Sequence, residues 1–161
     1  MGANAGPIPS GEGVATVAEY SFEDAPPYDI IVIPGGFGTR IAVGDRAFLD
    51  RLAAASKRAP ITTTVCTGSA LLARTGLLDG RLATSNKISW DWVLQQGPRV
   101  RWQKKVRWVD DDNILTSSGV SAGIDMALAL IARLHGRDLA VAAARNMEYV
   151  WHEDANDDPF A

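Results

Sequence analysis

The stretch APITTTVCTGSALLARTGLL, residues 59–78, sets the organisation of the chain. Residues 61–65, Ile-Thr-Thr-Thr-Val, are β-branched throughout. A short run of this kind reads as a strand buried on both faces of a sheet. From Thr67 to Gly76 the composition turns to Gly, Ala, Ser and Leu, a helical run that Gly76 stops. One residue, Cys66, stands at the join, and it is the only cysteine among 161 residues. A strand that passes into a helix with no linker is one half of a βαβ unit.

The flanking sequence repeats the theme. YDIIVIP (28–34) is a near-continuous β-branched run, as expected for a strand buried on both faces of a parallel sheet. GGFGTR follows as a glycine-rich loop. DRAFLDRLAAASKRA (45–59) places Phe48, Leu49, Leu52 and Ala53 at helical spacing, and Pro60 closes it. Strand, helix, strand and helix therefore alternate with short connections, which predicts a doubly wound α/β fold. VATVAEYSF (14–22) is a weaker strand candidate ending in the turn material EDAPP. Downstream, SWDWVLQQG (89–97) reads as a short helix with Ser89 as N-cap. VRWQKKVRWVDDDNILTSSG (100–119) reads as strand material broken by an acidic turn. In it Val100, Trp102, Val106 and Trp108 share one parity, and Arg101, Gln103, Lys105 and Arg107 share the other. That alternation predicts tryptophans inward and charges outward, rather than a surface on which nucleic-acid bases stack. GIDMALALIARLHG (123–136) and DLAVAAARNMEYVW (138–151) predict two further helices, and HEDANDDPFA a surface tail.

Composition bounds the function. A length of 161 residues with 47% hydrophobic content fits one soluble globular domain over 1–161. A single cysteine excludes an intrachain disulfide framework and points to a reducing, cytoplasmic setting. The opening MGANAGPIPSGEG has neither a basic n-region nor an apolar h-region, no run approaches membrane-spanning length, and the net charge of −3 argues against nucleic-acid binding. The two histidines, His135 and His152, show no metal-ligand spacing, and DDDN (110–113) lacks the pattern of a calcium loop.

Cys66 is the candidate for chemistry. Ligands in open α/β sheets bind at the carboxyl ends of strands. A strand-to-helix turn places a side chain at a helix N-terminus, where partial positive charge favours a thiolate. Thr67 and Gly68 are small enough to admit a substrate, following the logic of a nucleophile elbow, although Thr64 stands where the first glycine of that pattern belongs. A free cysteine at a strand end also occurs as an inert small hydrophobe. The loop PGGFG (34–38) follows the other buried strand and so falls on the same sheet edge. Its Gly35 and Gly36 free the backbone to aim N–H groups into a shared crevice.

Three motifs in order, YDIIVIPGG, ITTTVCTGSALLARTGLLDGRLATSNK and RWVDDDNILTSSGVSAGIDMALALIARLHG, resemble the ThiJ/PfpI superfamily, the class I glutamine-amidotransferase-like group. The likeness runs over about residues 6–155. Cys-Thr-Gly at 66–68 resembles the isocyanide hydratase branch; the peptidase and deglycase branches usually place His or Ala after the nucleophile. The resemblance implies a flavodoxin-like three-layer sandwich with a mostly parallel sheet, a nucleophilic Cys66 and an oxyanion site from the backbones of Gly36 and Thr67. It further implies a homodimer, a small-molecule substrate and no cofactor; beside it, the residues themselves give Gly35, Gly36 and Gly68 as oxyanion or substrate-binding positions and offer no metal site. The reaction it implies is hydration of a small isocyanide to an N-substituted formamide through a Cys66 thioimidate.

Two departures stand out. The strand–helix–strand unit with which the family begins has no counterpart before AGPIPSGEGVATVAEYSFEDAP, and with it goes the acidic residue that would hydrogen-bond the sulfur. Lacking it, YDIIVIP is expected to present an exposed apolar edge, a pairing and aggregation hazard. Second, the histidine that family members often carry is replaced by Asn86, a possible secondary site residue or a plain turn residue that cannot act as a base. Asp125 reads as a first-turn carboxylate with a structural role, His135 as a cation at a helix C-terminus, and His152 as a surface residue. The rival readings are a non-catalytic small-molecule sensor, as in relatives fused to AraC-type regulators, and a redox sensor working through Cys66.

Overall fold

The computed structural model describes residues 1–10 and 13–161. Gly11 and Glu12, part of the opening stretch and of the segment aligned with the family, lie outside the described residues. The elements run β1 (Gly6–Pro9), β2 (Ala15–Ala18), β3 (Ile30–Ile33), α1 (Thr39–Ala42), α2 (Arg46–Arg58), β4 (Ile61–Val65), α3 (Gly68–Arg74) and β5 (Leu82–Ala83). They continue with α4 (Trp90–Gln96), β6 (Arg101–Trp102), β7 (Trp108–Asp111), β8 (Ile114–Ser117), α5 (Val120–His135) and α6 (Arg137–Asn146).

The main sheet has the order β3-β4-β8-β7. β3, β4 and β8 are parallel, and β7 closes one edge as the antiparallel arm of a hairpin with β8. Asp112, at φ 66°, turns that hairpin where the acidic run predicted it. β1 and β2 form a separate hairpin, and β5 and β6 a two-residue parallel ladder. One core, around Ile31, Ile33, Leu49, Leu52, Leu72 and Val93, lies between the sheet and α2, α3 and α4. A second, of Trp108, Leu115, Met126 and Leu130, lies between the opposite sheet face and α5. Helices on both faces of a mostly parallel sheet make the three-layer α/β arrangement of flavodoxin type.

Local chemistry explains the elements. Asp45 caps α2 by accepting from the Phe48 amide at 3.0 Å. β4 buries three successive threonines, and two of their hydroxyls are satisfied: Thr63 donates to Ile31 O at 3.3 Å and Thr62 to Ser56 O at 3.4 Å. α5 presses Gly123 onto β4 so closely that a Cβ there would meet Val65 Cγ1 at 2.8 Å. Among the described residues no helix is long and apolar enough to cross a membrane.

Four expectations are corrected. β3 is buried on one face only: it forms the sheet edge, and Ile30 and Val32 are 39% and 59% exposed because no helix covers them there. The exposed apolar edge expected from the sequence is therefore present. The parity over 100–108 breaks because residues 103–107 cross from β6 to β7 as irregular chain, so Arg107 is buried with Trp108 rather than pointing outward. Ser89 does not cap α4 with its side chain; Asn86 Oδ1 takes the Ser89 amide at 3.0 Å, and Ser89 Oγ accepts from Arg40 at 2.9 Å. α5 begins at Val120, three residues before the predicted start, which moves Asp125 out of the first turn and into full burial.

Candidate active site

Cys66 stands at the carboxyl end of β4 in the left-handed region, at φ 58°, a backbone state that a non-glycine residue rarely adopts. It is half-buried. The bend is pinned through its backbone. Its amide donates to Ser117 O at 3.2 Å on the neighbouring strand, and its carbonyl accepts from the hydroxyls of Ser69 at 3.1 Å and Ser85 at 3.0 Å. None of these three serines is marked by a motif; Ser85 stands beside Asn86 in the ATSNK segment, and it is the serine that holds the elbow. α3 is only seven residues long, so the polarity around Cys66 comes from its first amides rather than from a long helix.

The structure brings the predicted loop and elbow together. A Cβ on Gly35 would meet Thr67 N at 2.7 Å and Cys66 Cβ at 2.8 Å. A Cβ on Gly68 would meet Ile33 O at 2.2 Å. Both positions admit only glycine, because backbone of the Pro34–Gly36 turn lies directly against the elbow. The Gly36 amide donates to Thr67 Oγ1 at 3.0 Å, and Thr39 Oγ1 donates to Gly36 O at 2.7 Å. The Thr67 side chain is buried in this contact and does not face solvent. Asn86 is half-buried and spends its Oδ1 on the start of α4.

A cavity of about 600 Å³ lies on the far side of Ser85 and Ser117, and neither Cys66 nor Thr67 is part of its lining. Its wall includes Asn86, Lys87, Ile88, Arg107, Ser118 and Phe160. Cys66 connects to that wall on two sides, through Ser117, which precedes Ser118, and through Ser85, which precedes Asn86.

The charges of this wall were not legible as a group. Lys87 and Asp158 form a buried ion pair at 3.4 Å. Lys87 Nζ donates to Thr84 Oγ1 at 2.8 Å, Val106 O at 2.9 Å and Ser85 O at 3.3 Å. An ammonium has three N–H groups, and these acceptors use all of them. Asp158 Oδ2 thus gains the charge of Lys87 but no hydrogen bond, and it is left without a hydrogen-bond partner. Burial pushes the Lys87 ammonium below its ordinary range, and the Asp158 carboxylate partly opposes this. Arg107 forms a second buried pair with Asp125. Asp125 Oδ1 also accepts from the Tyr149 hydroxyl at 3.0 Å and the His152 amide at 2.9 Å, and its backbone carbonyl accepts from Trp151 Nε1 at 3.2 Å. Asp125 is therefore structural, as read, and its task is to hold the C-terminal tail. His152 is half-buried rather than a plain surface residue.

Known proteins share this architecture. The sequence profile of the DJ-1/PfpI family matches residues 1–133. Isonitrile hydratase of Pseudomonas putida is 36% identical over 143 residues, which cover 89% of this chain and 61% of that protein. The HTH-type transcriptional regulator GbdR of Pseudomonas aeruginosa is 34% identical over 141 residues, 86% of this chain and 37% of the regulator. The crystal structure of a ThiJ/PfpI family protein from Pseudomonas syringae superposes with a TM-score of 0.78 at 34% identity, covering 89% of this chain and 59% of that one. The chain thus spans about three fifths of the hydratase and little more than a third of the regulator.

Proposed function

This chain belongs to the DJ-1/PfpI family, and from that premise we propose that it is a cysteine-dependent hydratase that converts a small isocyanide to an N-substituted formamide. The observation that carries the reading is the strained Cys66, held at φ 58° on the carboxyl edge of the sheet against the Pro34–Gly36 turn. Its 36% identity to isonitrile hydratase supports the choice of reaction.

In the reaction the Cys66 sulfur attacks the terminal isocyanide carbon, a C–S bond forms, and the thiol proton ends on that carbon, giving a thioimidate. Water then adds its oxygen to the same carbon and a proton to nitrogen. The C–S bond breaks, the carbonyl of the formamide forms, and the hydroxyl proton returns to sulfur. The Thr67 amide at the elbow is assigned to face the charge that develops during attack. The Gly36 amide is engaged by Thr67 Oγ1 and joins it only when that bond opens. Gly35 and Gly68 let the Pro34–Gly36 turn close against the elbow.

The test is incubation of the protein with an aryl isocyanide while formamide is followed. Turnover by the folded protein and none by Cys66→Ala is expected; no turnover, or equal turnover by both, overturns the reading. A second reading, a sensor that binds a small molecule without turning it over, is supported by the 34% identity to GbdR. Saturable binding of the isocyanide with no formamide favours it.

A further inference from the structure

We infer that the cavity enclosed by Arg107, the start of α5 and the C-terminal tail is a second ligand site, separate from Cys66, for a small carboxylate carried on an apolar body of about ring size. Cys66, Thr67 and the Pro34–Gly36 turn take no part in its lining. What points to a ligand is a set of hydrogen-bond donors that the fold places on one wall and leaves unused.

Arg107 supplies the first. Its side chain is only 7% exposed, and Asp125 takes its Nε and Nη2. Nη1 finds no acceptor among the described residues, and it is not sealed from solvent. Ser118 stands beside it, its amide donating to Arg107 O at 2.8 Å. Ser118 is 3% exposed, and its hydroxyl also has no partner among the described residues while it lines the cavity. Buried polar groups are normally satisfied, so two neighbours with a spare donor each in one concave wall mark a place to be filled.

α5 adds to them. No side chain caps it, and the amides of Val120, Ser121 and Ala122 meet no acceptor among the described residues. With 16 residues it carries the partial positive charge of a full helix at that end. Guanidinium, hydroxyl and helix amides are all donors, and an oxyanion answers them together. Asp158 also lines the cavity, matched by Lys87, so a singly charged carboxylate suits the wall better than a doubly charged phosphate. Lys104 and Ala161 are exposed and hydrated at the rim. Ile88, 98% exposed, and Phe160, 72% exposed, line the same cavity and receive the apolar body.

The experiment is calorimetric titration of the full chain with benzoate, and with benzamide, acetate and inorganic phosphate for comparison. Benzoate is expected to bind. Benzamide should bind about tenfold more weakly, because a charge-assisted hydrogen bond is roughly twice as strong as a neutral one. Acetate should be weaker by about the same factor, because it leaves Ile88 and Phe160 uncovered. Ser121→Asp puts a carboxylate in the first turn of α5, which favours the helix and repels the ligand; it should melt no lower than the parent and bind benzoate about tenfold more weakly. Phe160→Ser should weaken benzoate and leave acetate unchanged. Cys66→Ala should bind benzoate as the parent does. Absence of benzoate binding, equal or tighter binding of any of the three comparison ligands, or full affinity in either Ser121→Asp or Phe160→Ser overturns the inference. Loss of benzoate binding in Cys66→Ala would put the ligand at the cysteine and overturn the separate site. Formamide production is read apart from these titrations, so the hydratase reading and this site can fail independently.

Discussion

The Gly36 amide donates to the Thr67 side-chain oxygen at 3.0 Å, and this contact joins the glycine loop after β3 to the first residue of the elbow after β4. The two segments come from neighbouring parallel strands, and the same Thr67 oxygen also lies 3.3 Å from Gly36 O and 3.1 Å from Thr39 Oγ1. The Thr67 hydroxyl is therefore a tether between the two halves of the site.

Thr67→Val keeps the shape of the side chain and removes the tether. A neutral hydrogen bond of this kind contributes about 1 kcal/mol, and the freed Gly36 amide can turn to water because the loop is exposed there. Chemical denaturation should show a loss of about that size for Thr67→Val, with Thr67→Ser close to the parent. Formamide production should fall with the valine and recover with the serine. A valine variant as active as the parent would place the loop outside the reaction.

Gly35→Ala tests the close approach directly. The added methyl would stand 2.7 Å from Thr67 N and 2.8 Å from Cys66 Cβ, both part of the backbone bend and unable to swing away. Forcing a methyl group into such a contact costs about 1–3 kcal/mol. Urea unfolding should report that loss. Alkylation of Cys66 by iodoacetamide should change in rate as well, since the elbow itself must shift; Gly38→Ala, where a Cβ meets nothing within 4 Å, is the control and should leave both unchanged.

Asp125 is the most connected carboxylate of the site region, and it works at a distance from the cysteine. It is fully buried against Arg107 and holds Tyr149, Trp151 and His152. Arg107 in turn donates its backbone amide to Ala155 O at 2.8 Å. Asp125→Ala leaves a buried guanidinium unpaired, which costs about 3–5 kcal/mol. Limited proteolysis should then cut within residues 150–161 before the sheet unfolds, and uniform cutting elsewhere first would contradict the role given to this residue.

How far the sequence reveals the site follows from which contacts are local. β4 was readable because Ile61 to Val65 are β-branched without interruption, and the α2 cap because Asp45 meets an amide three residues on. The elbow was readable for the same reason: strand, cysteine and helix are consecutive. Lys87–Asp158 and Arg107–Asp125 were not, because each joins segments far apart in the chain and a lone charge looks the same on a surface as in a pair. Arg107 was actively misread, since period-two reasoning holds only while the chain stays in one strand, and here it leaves β6 before entering β7. Ser89 looked like a cap by position, yet Asn86, three residues earlier, reaches its amide first.

The N-terminal hairpin offers a pH test that leaves the cavity untouched. Arg51 on α2 grips Glu23 with two hydrogen bonds of 2.6 Å and also reaches Ala3 O, so one guanidinium holds both ends of the β1–β2 segment. The Arg51 hydrogen bonds, opposed by slight desolvation, lower the Glu23 carboxyl from its ordinary 4.5 to about 2. A carboxyl whose folded value lies below its unfolded one takes up its proton in the unfolded chain first. Its stabilising contribution is therefore complete above pH 4.5 and drains away as pH falls toward about 2. Melting temperatures of the parent and Glu23→Gln should differ above that window, converge through it and coincide below it. The gap should also narrow in high salt, since the pair is open to solvent. A gap that persists unchanged below pH 2 would mean that Glu23 supports the hairpin through packing and not through its charge.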